Sequence, residues 1–198
     1  PSREFDVGNG INRSGKRLLT VGTDVSVGKM FTALAVEQEM KKRGFDADFR
    51  ATGQTGIFIA GSGVSIDAVV ADFISGAVEW LCPENSENHW DIVEGQGSLF
   101  NVSYAGVTLG LIHGSQPDAL VVCHEAGRPH MRSMPHFPLI DLPTCIDVNL
   151  QAARLTNPDV RCVGAAINTS RLSEEEGRVF CDKISQEIGL PAVDPLRD

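Results

Sequence analysis

The segment LLTVGTDVSVGKMFTALAVEQEM, residues 18–40, constrains the fold more than any other stretch of this chain. A strand candidate, Leu18–Val21, runs into a glycine-bearing turn, Gly22–Gly28, and then into helical periodicity over Lys29–Arg43 that Gly44 closes. Strand, loop and helix in that order are what a phosphate-binding loop requires. Glycines let backbone N–H groups converge on an anion, and the helix N-terminus adds its partial positive charge. Lys29 supplies a mobile full charge. Counted from Gly22, the loop is one residue longer than its commonest form. The anion-binding set is therefore Gly22, Thr23, Asp24, Val25, Ser26, Val27, Gly28, Lys29 and Met30. A strand-turn-helix corner with an incidental Gly-Lys is the plainer alternative.

The remaining chain repeats the alternation. Asp46–Thr52, Trp90–Val93, Ala119–Cys123, Val163–Ile167 and Ala192–Val193 read as short strands. Ile66–Leu81, Tyr104–Ile112 and Ser173–Ile188 read as helices. Apolar strands separated by helices argue for a sheet buried on both faces. The expected class is α/β: a three-layer α/β/α P-loop NTPase-like domain with a mainly parallel sheet, spanning residues 17–198. Residues 1–16 are polar and glycine-bearing and read as a linker from a missing N-terminal domain, and the start at Pro1 without methionine fits that. Arg13, Lys16 and Arg17 are expected as solvated linker charges. Ala126–Pro143 holds four prolines and is expected as a long ordered loop over one end of the sheet.

Charge narrows the partners. Seventeen basic against twenty-six acidic residues leave a net charge of −9, which disfavours nucleic acid and anionic membrane surfaces and favours a small-molecule substrate held by a local site. No apolar run nears the roughly 18 residues needed to span a bilayer. Five widely spaced cysteines include no C-x-x-C pair, which points away from zinc and towards a reducing, cytoplasmic setting. No metal site is expected.

Where a nucleotide hydrolase has Ser or Thr to hold Mg²⁺ after Gly-Lys, this chain has Met30. Thr32 lies two residues further on, about 200° around the helix, and cannot replace it. The loop is thus suited to binding a pyrophosphate more than to cleaving one. Asp24 sits inside the loop, where a carboxylate repels phosphate unless paired or turned outward. Glu94, followed by Gly95, Gln96, Gly97 and Ser98, ends a strand and should face the same crevice. Asp67 is a second candidate carboxylate, with simple complementation of a helix dipole as its alternative; Asp72 is a weaker one. The segment VVCHEAGRPHMRSMPH gathers His124, Arg128, His130 and Arg132 at another strand end. Arginine forks there suit a substrate bearing carboxylates; a solvated loop with scattered charge is the alternative. Asn168 ends a later strand, at a base contact or a plain turn.

Taken together, these motifs resemble two families. VGTDVSVGKM and VEGQGSL resemble the deviant P-loop and the acidic-glycine motif of dethiobiotin synthetase. A longer series resembles the C-terminal P-loop domain of the D-glutamate N-acetyltransferases, long grouped as a domain of unknown function: GTDVSVGKM, GVSIDAVVADFISGAVE, VEGQGSL, VVCHEAGR, INTS and GLPAVDPLRD, in that order. The resemblance implies transfer of an acetyl group from acetyl-CoA to the amino group of D-glutamate, in a homodimeric, two-domain protein. It makes Asp24, Asp67, Glu94 and His124 candidate bases, and Lys29 or the amides of Gly95–Ser98 candidate oxyanion donors. It further makes Arg128 with Arg132 or His130 a clamp for the glutamate carboxylates, beside Gln96, Gly97 and Ser98. An ATP- and Mg-dependent ligase or kinase of the dethiobiotin synthetase type, with Asp67 and Glu94 holding the metal, and a non-catalytic nucleotide-sensing module are the competing readings.

Overall fold

The computed structural model describes residues 4–197. Strands β1 (Lys16–Gly22), β2 (Ala47–Arg50), β3 (Trp90–Val93), β4 (Ala119–Glu125), β7 (Arg161–Asn168) and β8 (Ala192–Val193) form one sheet in the order β2-β3-β1-β4-β7-β8. Every pairing in it is parallel. The two short strands β5 (His130–Met131) and β6 (Met134–Pro138) make a separate antiparallel hairpin.

Alternation along β1 sorts its side chains between two cores. Leu19 and Val21 join α3 (Ile74–Leu81), α4 (Ala105–Ser115), α5 (Leu142–Arg154) and α6 (Glu174–Ile188) on one face. Leu18 joins Val27 and Ala33, at and within the start of α1 (Lys29–Lys42), on the other. Three layers result, with α1 covering the centre of the second face. Ser173 caps α6 through a reciprocal capping box with Glu176, and Gly189 (φ 67°) ends the helix in the left-handed conformation.

The elements depart from the sequence reading in several places. The apolar periodicity over 66–81 is not one helix: Ile66–Ala68 and Ala71–Phe73 are single 3-10 turns, and only Ile74–Leu81 is α-helical. The glycine-rich stretch after β2 contains a short helix, α2 (Gln54–Ala60). The proline-rich segment 126–143 is no irregular loop. It holds the β5–β6 hairpin and the start of α5, where Asp141 caps the Thr144 amide at 2.8 Å and Pro143 occupies the first turn. Proline there costs no hydrogen bond and presets the helical φ.

Residues 4–15 contain no helix or strand; residues 1–3 of the expected linker lie outside the described residues. This strap is bonded to the domain. The Asn9 and Gly10 amides donate to Glu79, Gln116 donates to the Gly10 carbonyl, and Arg13 donates to the Gly114 carbonyl at 2.6 Å. Arg17, expected to be solvated, is buried and donates to the Arg13 and Ser14 carbonyls.

Cys82, Cys123, Cys145 and Cys181 are buried, and Cys162 is half-buried. Burial pushes the Cys82 thiol up to about 12 and Cys123 to about 11. Among the described residues no helix is long and apolar enough to cross a membrane.

Candidate active site

The loop after β1 meets the carboxyl ends of β3, β4 and β7, where open parallel sheets bind ligands. A cleft of about 700 Å³ opens there, floored by Gly28, Lys29 and Met30. Glu94–Gly97 and Asp67 line one side of it, and Asn168 with the β5–β6 turn (Arg132, Ser133) the other. Phe31, Tyr104 and Val107 supply apolar wall. Asn101, Tyr104 and the β5–β6 turn took no part in the sequence reading of the site, apart from Arg132. Asn101 could have been suspected as the polar residue that closes VEGQGSLFN.

The loop divides into buried and presented residues. Gly22, Thr23 and Val27 are buried beneath it and do not line the cleft. Ser26 (φ 55°) and Gly28 (φ 110°) are both left-handed, which turns successive amides inward. From Val25 to Met30 no backbone amide donates to an acceptor among the described residues. Amides left without a protein acceptor in the turn before a helix and in its first residues fit an anion.

Lys29 is 7% exposed, and its Nζ donates to the Asp24 carbonyl at 2.9 Å. Burial lowers its pKa from 10.5 to about 8. Met30 lines the cleft at the position where a magnesium-binding hydroxyl would stand. Thr32 is buried, donates its hydroxyl to the Gly28 carbonyl at 3.1 Å and does not line the cleft.

Glu94 is 3% exposed. Its Oε2 accepts from the Thr52 and Gly53 amides at 2.9 and 3.0 Å, and its Oε1 accepts from Gln96 Nε2 at 3.2 Å. Burial raises its pKa despite these bonds. Asp67 is exposed and accepts from the Ser65 hydroxyl. It is brought to the Glu94 side because the Val64 and Ile66 amides donate to the Ala51 and Thr52 carbonyls.

Other candidates stand elsewhere. Asp24 is fully buried and accepts from Asn101 Nδ2 (2.9 Å), Arg128 Nη1 (3.0 Å) and the Arg132 amide (2.5 Å). It is a structural anchor and not a free base. His124 stacks on Phe180, bonds Thr23 Oγ1 at 3.2 Å and is absent from the cleft wall. Ser98 is buried, donating to the Gly22 carbonyl at 2.9 Å. Arg128 is spent on Asp24, Glu125 and the loop. His130 lies with Arg128 and Arg171 in a neighbouring hollow. Gln96, Gly97 and Arg132 remain on the cleft, and the Arg132 guanidinium has no acidic partner among the described residues.

Comparison with known proteins gives the family of the chain. The family described as a domain of unknown function (DUF1611_C), P-loop domain, matches residues 6–198. A relative from Pseudoalteromonas sp named D-glutamate N-acetyltransferase is 59% identical, covering 100% of this chain and 60% of that protein. One of the same name from Tritonibacter scottomollicae is 53% identical, covering 100% and 59%. A crystal structure of a DUF1611 family protein from Anabaena variabilis ATCC 29413 superposes with a TM-score of 0.92 at 39% identity, over 100% of this chain and 58% of that one. The chain thus spans about 60% of the length of the curated relatives it matches. The chain belongs to the DUF1611 family and corresponds to its P-loop domain.

Proposed function

We propose that this domain holds the donor of an N-acetyltransferase that moves an acetyl group from acetyl-CoA to the amino group of D-glutamate. The relatives' names support the reaction. The observation that carries the donor assignment is the row of unpartnered amides, Val25 to Met30, wrapped around a buried lysine beside Glu94. A pyrophosphate that is gripped and left intact suits that row, and it suits Met30, because no hydroxyl is needed for a metal.

Acetyl-CoA supplies an activated thioester carbonyl. Glu94 takes one proton from the substrate ammonium, which is mostly protonated near neutral pH. The amine nitrogen then bonds to the carbonyl carbon, the C–S bond breaks, and the nitrogen's second proton leaves on the sulfur as a thiol. Gln96 and Gly97 line the cleft, and their backbone N–H groups stabilise the oxyanion, a contribution of about 3–4 kcal/mol per well-aimed donor. Arg132 takes a carboxylate of glutamate through its planar fork.

Mg-ATP turnover is the rival, and it has Asp67 and Glu94 on one cleft in its favour. Calorimetric titration with each ligand separates the two. Acetyl-CoA is expected to bind without Mg²⁺, and Lys29→Met to weaken it about tenfold to a hundredfold, the worth of one hydrogen bond to a charged group. Mg-dependent release of ADP without acetyl transfer replaces the proposal.

The lowered pKa of Lys29 makes a further prediction with two opposite signs. Without ligand, the unfolded chain binds more protons than the folded one between pH 8 and 10.5, so stability rises across that window. Binding of an anion favours the charged ammonium, so the Kd for acetyl-CoA rises about tenfold per pH unit above pH 8 until it levels off at the Lys29→Met value. Thermal melting and titration at several pH values read both trends. Both vanish in Lys29→Met.

A further inference from the structure

Arg128 stands behind the loop, outside the cleft wall, and every bond it makes is directed at the loop or its neighbours. Nη1 donates to the Val25 carbonyl at 2.8 Å and to Asp24 Oδ2 at 3.0 Å. Nη2 donates to the Ser26 carbonyl at 3.0 Å and to Glu125. In a trans peptide the carbonyl and the following N–H point in opposite directions. Holding the Val25 carbonyl to the rear therefore aims the Ser26 amide forward, and holding the Ser26 carbonyl to the rear aims the Val27 amide forward. Those two amides belong to the row that finds no protein acceptor.

The backbone at Ser26 gives this tether something to hold. Its φ of 55° is a conformation a side chain disfavours, and such residues persist only where their surroundings over-determine them. Two carboxylates, Asp24 and Glu125, offset the charge of Arg128 and keep its fork in place, with Glu125 fixed from the other side by Arg171 Nε at 2.8 Å. So compensated, the guanidinium contributes direction and little net attraction. Asp24 closes the arrangement by also accepting from the Arg132 amide of the β5–β6 turn and from Asn101.

From this geometry we infer that Arg128 is a positioning residue: its fork sets the peptide planes Val25–Ser26 and Ser26–Val27 so that two amides face a bound diphosphate. The inference rests on the donor site proposed above, but it concerns anion binding and can be tested without any acetyl transfer.

The probe is inorganic pyrophosphate, titrated into the full chain by calorimetry, with backbone amide shifts followed by NMR. The unmodified protein is expected to bind it with the Ser26 and Val27 amide signals moving most. Arg128→Ala should weaken binding about tenfold to a hundredfold, as outer-shell losses do at other ion sites, and lose the shifts at those two amides. Millimolar guanidinium should restore part of the affinity to Arg128→Ala, whereas the same concentration of urea should not. Arg128→Lys keeps the charge between Asp24 and Glu125, and so the fold, but not the fork. It should stay within a few-fold of Arg128→Ala.

Pyrophosphate affinity in Arg128→Ala within twofold of the unmodified protein overturns the inference. So does full affinity in Arg128→Lys, which would make charge and not direction the contribution, and so does failure of the unmodified protein to bind pyrophosphate. Arg128-dependent pyrophosphate binding in a protein that transfers no acetyl group overturns the proposed reaction and leaves the positioning role standing. Acetyl transfer with pyrophosphate binding indifferent to Arg128 does the reverse.

Discussion

In a Glu94→Gln protein, acetyl transfer to D-glutamate falls by about 10²–10⁴ in kcat, the range a positioned general base supplies, while acetyl-CoA affinity is retained. The substitution is chosen because it spares the architecture. A glutamine carbonyl can still accept from the Thr52 and Gly53 amides, which Glu94 holds at 2.9 and 3.0 Å. Its NH2 group then faces Gln96, whose side-chain amide flips to accept from it, and the ability to take a proton is lost. Burial raises the Glu94 pKa, bringing the base closer to the pH at which it works. The acid limb of the kcat/KM profile therefore lies above the ordinary carboxylate range, with activity lost as pH falls through it, and it disappears in Glu94→Gln. Steady-state rates across pH measure both effects. Unchanged kcat in Glu94→Gln would transfer the role to Asp67, the other carboxylate on the cleft.

The second large effect is on stability. A methyl group on Gly95 would sit 1.6 Å from the Thr20 carbonyl oxygen and 2.9 Å from Lys29 Cδ. The Thr20 backbone belongs to the central strand and cannot step aside, and the Gly95 amide is already bonded to Thr20 Oγ1 at 2.9 Å. Gly95→Ala should cost about 3 kcal/mol or more, the upper end of overpacking, and lower the melting temperature by about 6–12 °C. Gly106 provides the control. It lies in α4 with nothing within 4 Å of an added Cβ, so Gly106→Ala should be neutral or stabilise by about 0.5–1 kcal/mol. Circular dichroism melts of the two variants read the contrast. Equal melting temperatures would mean that β3 can retreat from β1.

Residue spacing made much of this legible. β3 and β8 carry the bounds read from sequence, and α1 and α6 differ only at their ends, because their apolar periods and glycine stops act locally. Where tertiary contacts decide, the reading failed. Val69 and Val70 fit a helical face, yet the Val64 and Ile66 amides bond the end of β2, which leaves only isolated turns before Ile74. Pro143 reads as a helix breaker unless Asp141, two residues before it, is recognised as the cap. The cleft followed a similar division. Lys29, Glu94 and Gln96 could be located from strand ends alone, since parallel strands gather their carboxyl termini on one edge. Asp24, Ser98 and Arg128 carry equally reactive groups in equally suggestive motifs. Only their partners, up to 108 residues away in sequence, reveal that they brace the loop from behind.

The cysteines have a practical consequence for assays. Thiols attack disulfide reagents as thiolates, and four of the five here are buried, two of them with pKa values raised to about 11 and 12. A chromogenic aromatic disulfide added to the folded protein meets only half-buried Cys162, whose own pKa is also raised by burial. Each turnover of the proposed reaction, by contrast, releases one mobile, solvated sulfhydryl. Colour can then be followed continuously against a nearly silent protein background, and a sudden burst of it without substrate would report unfolding.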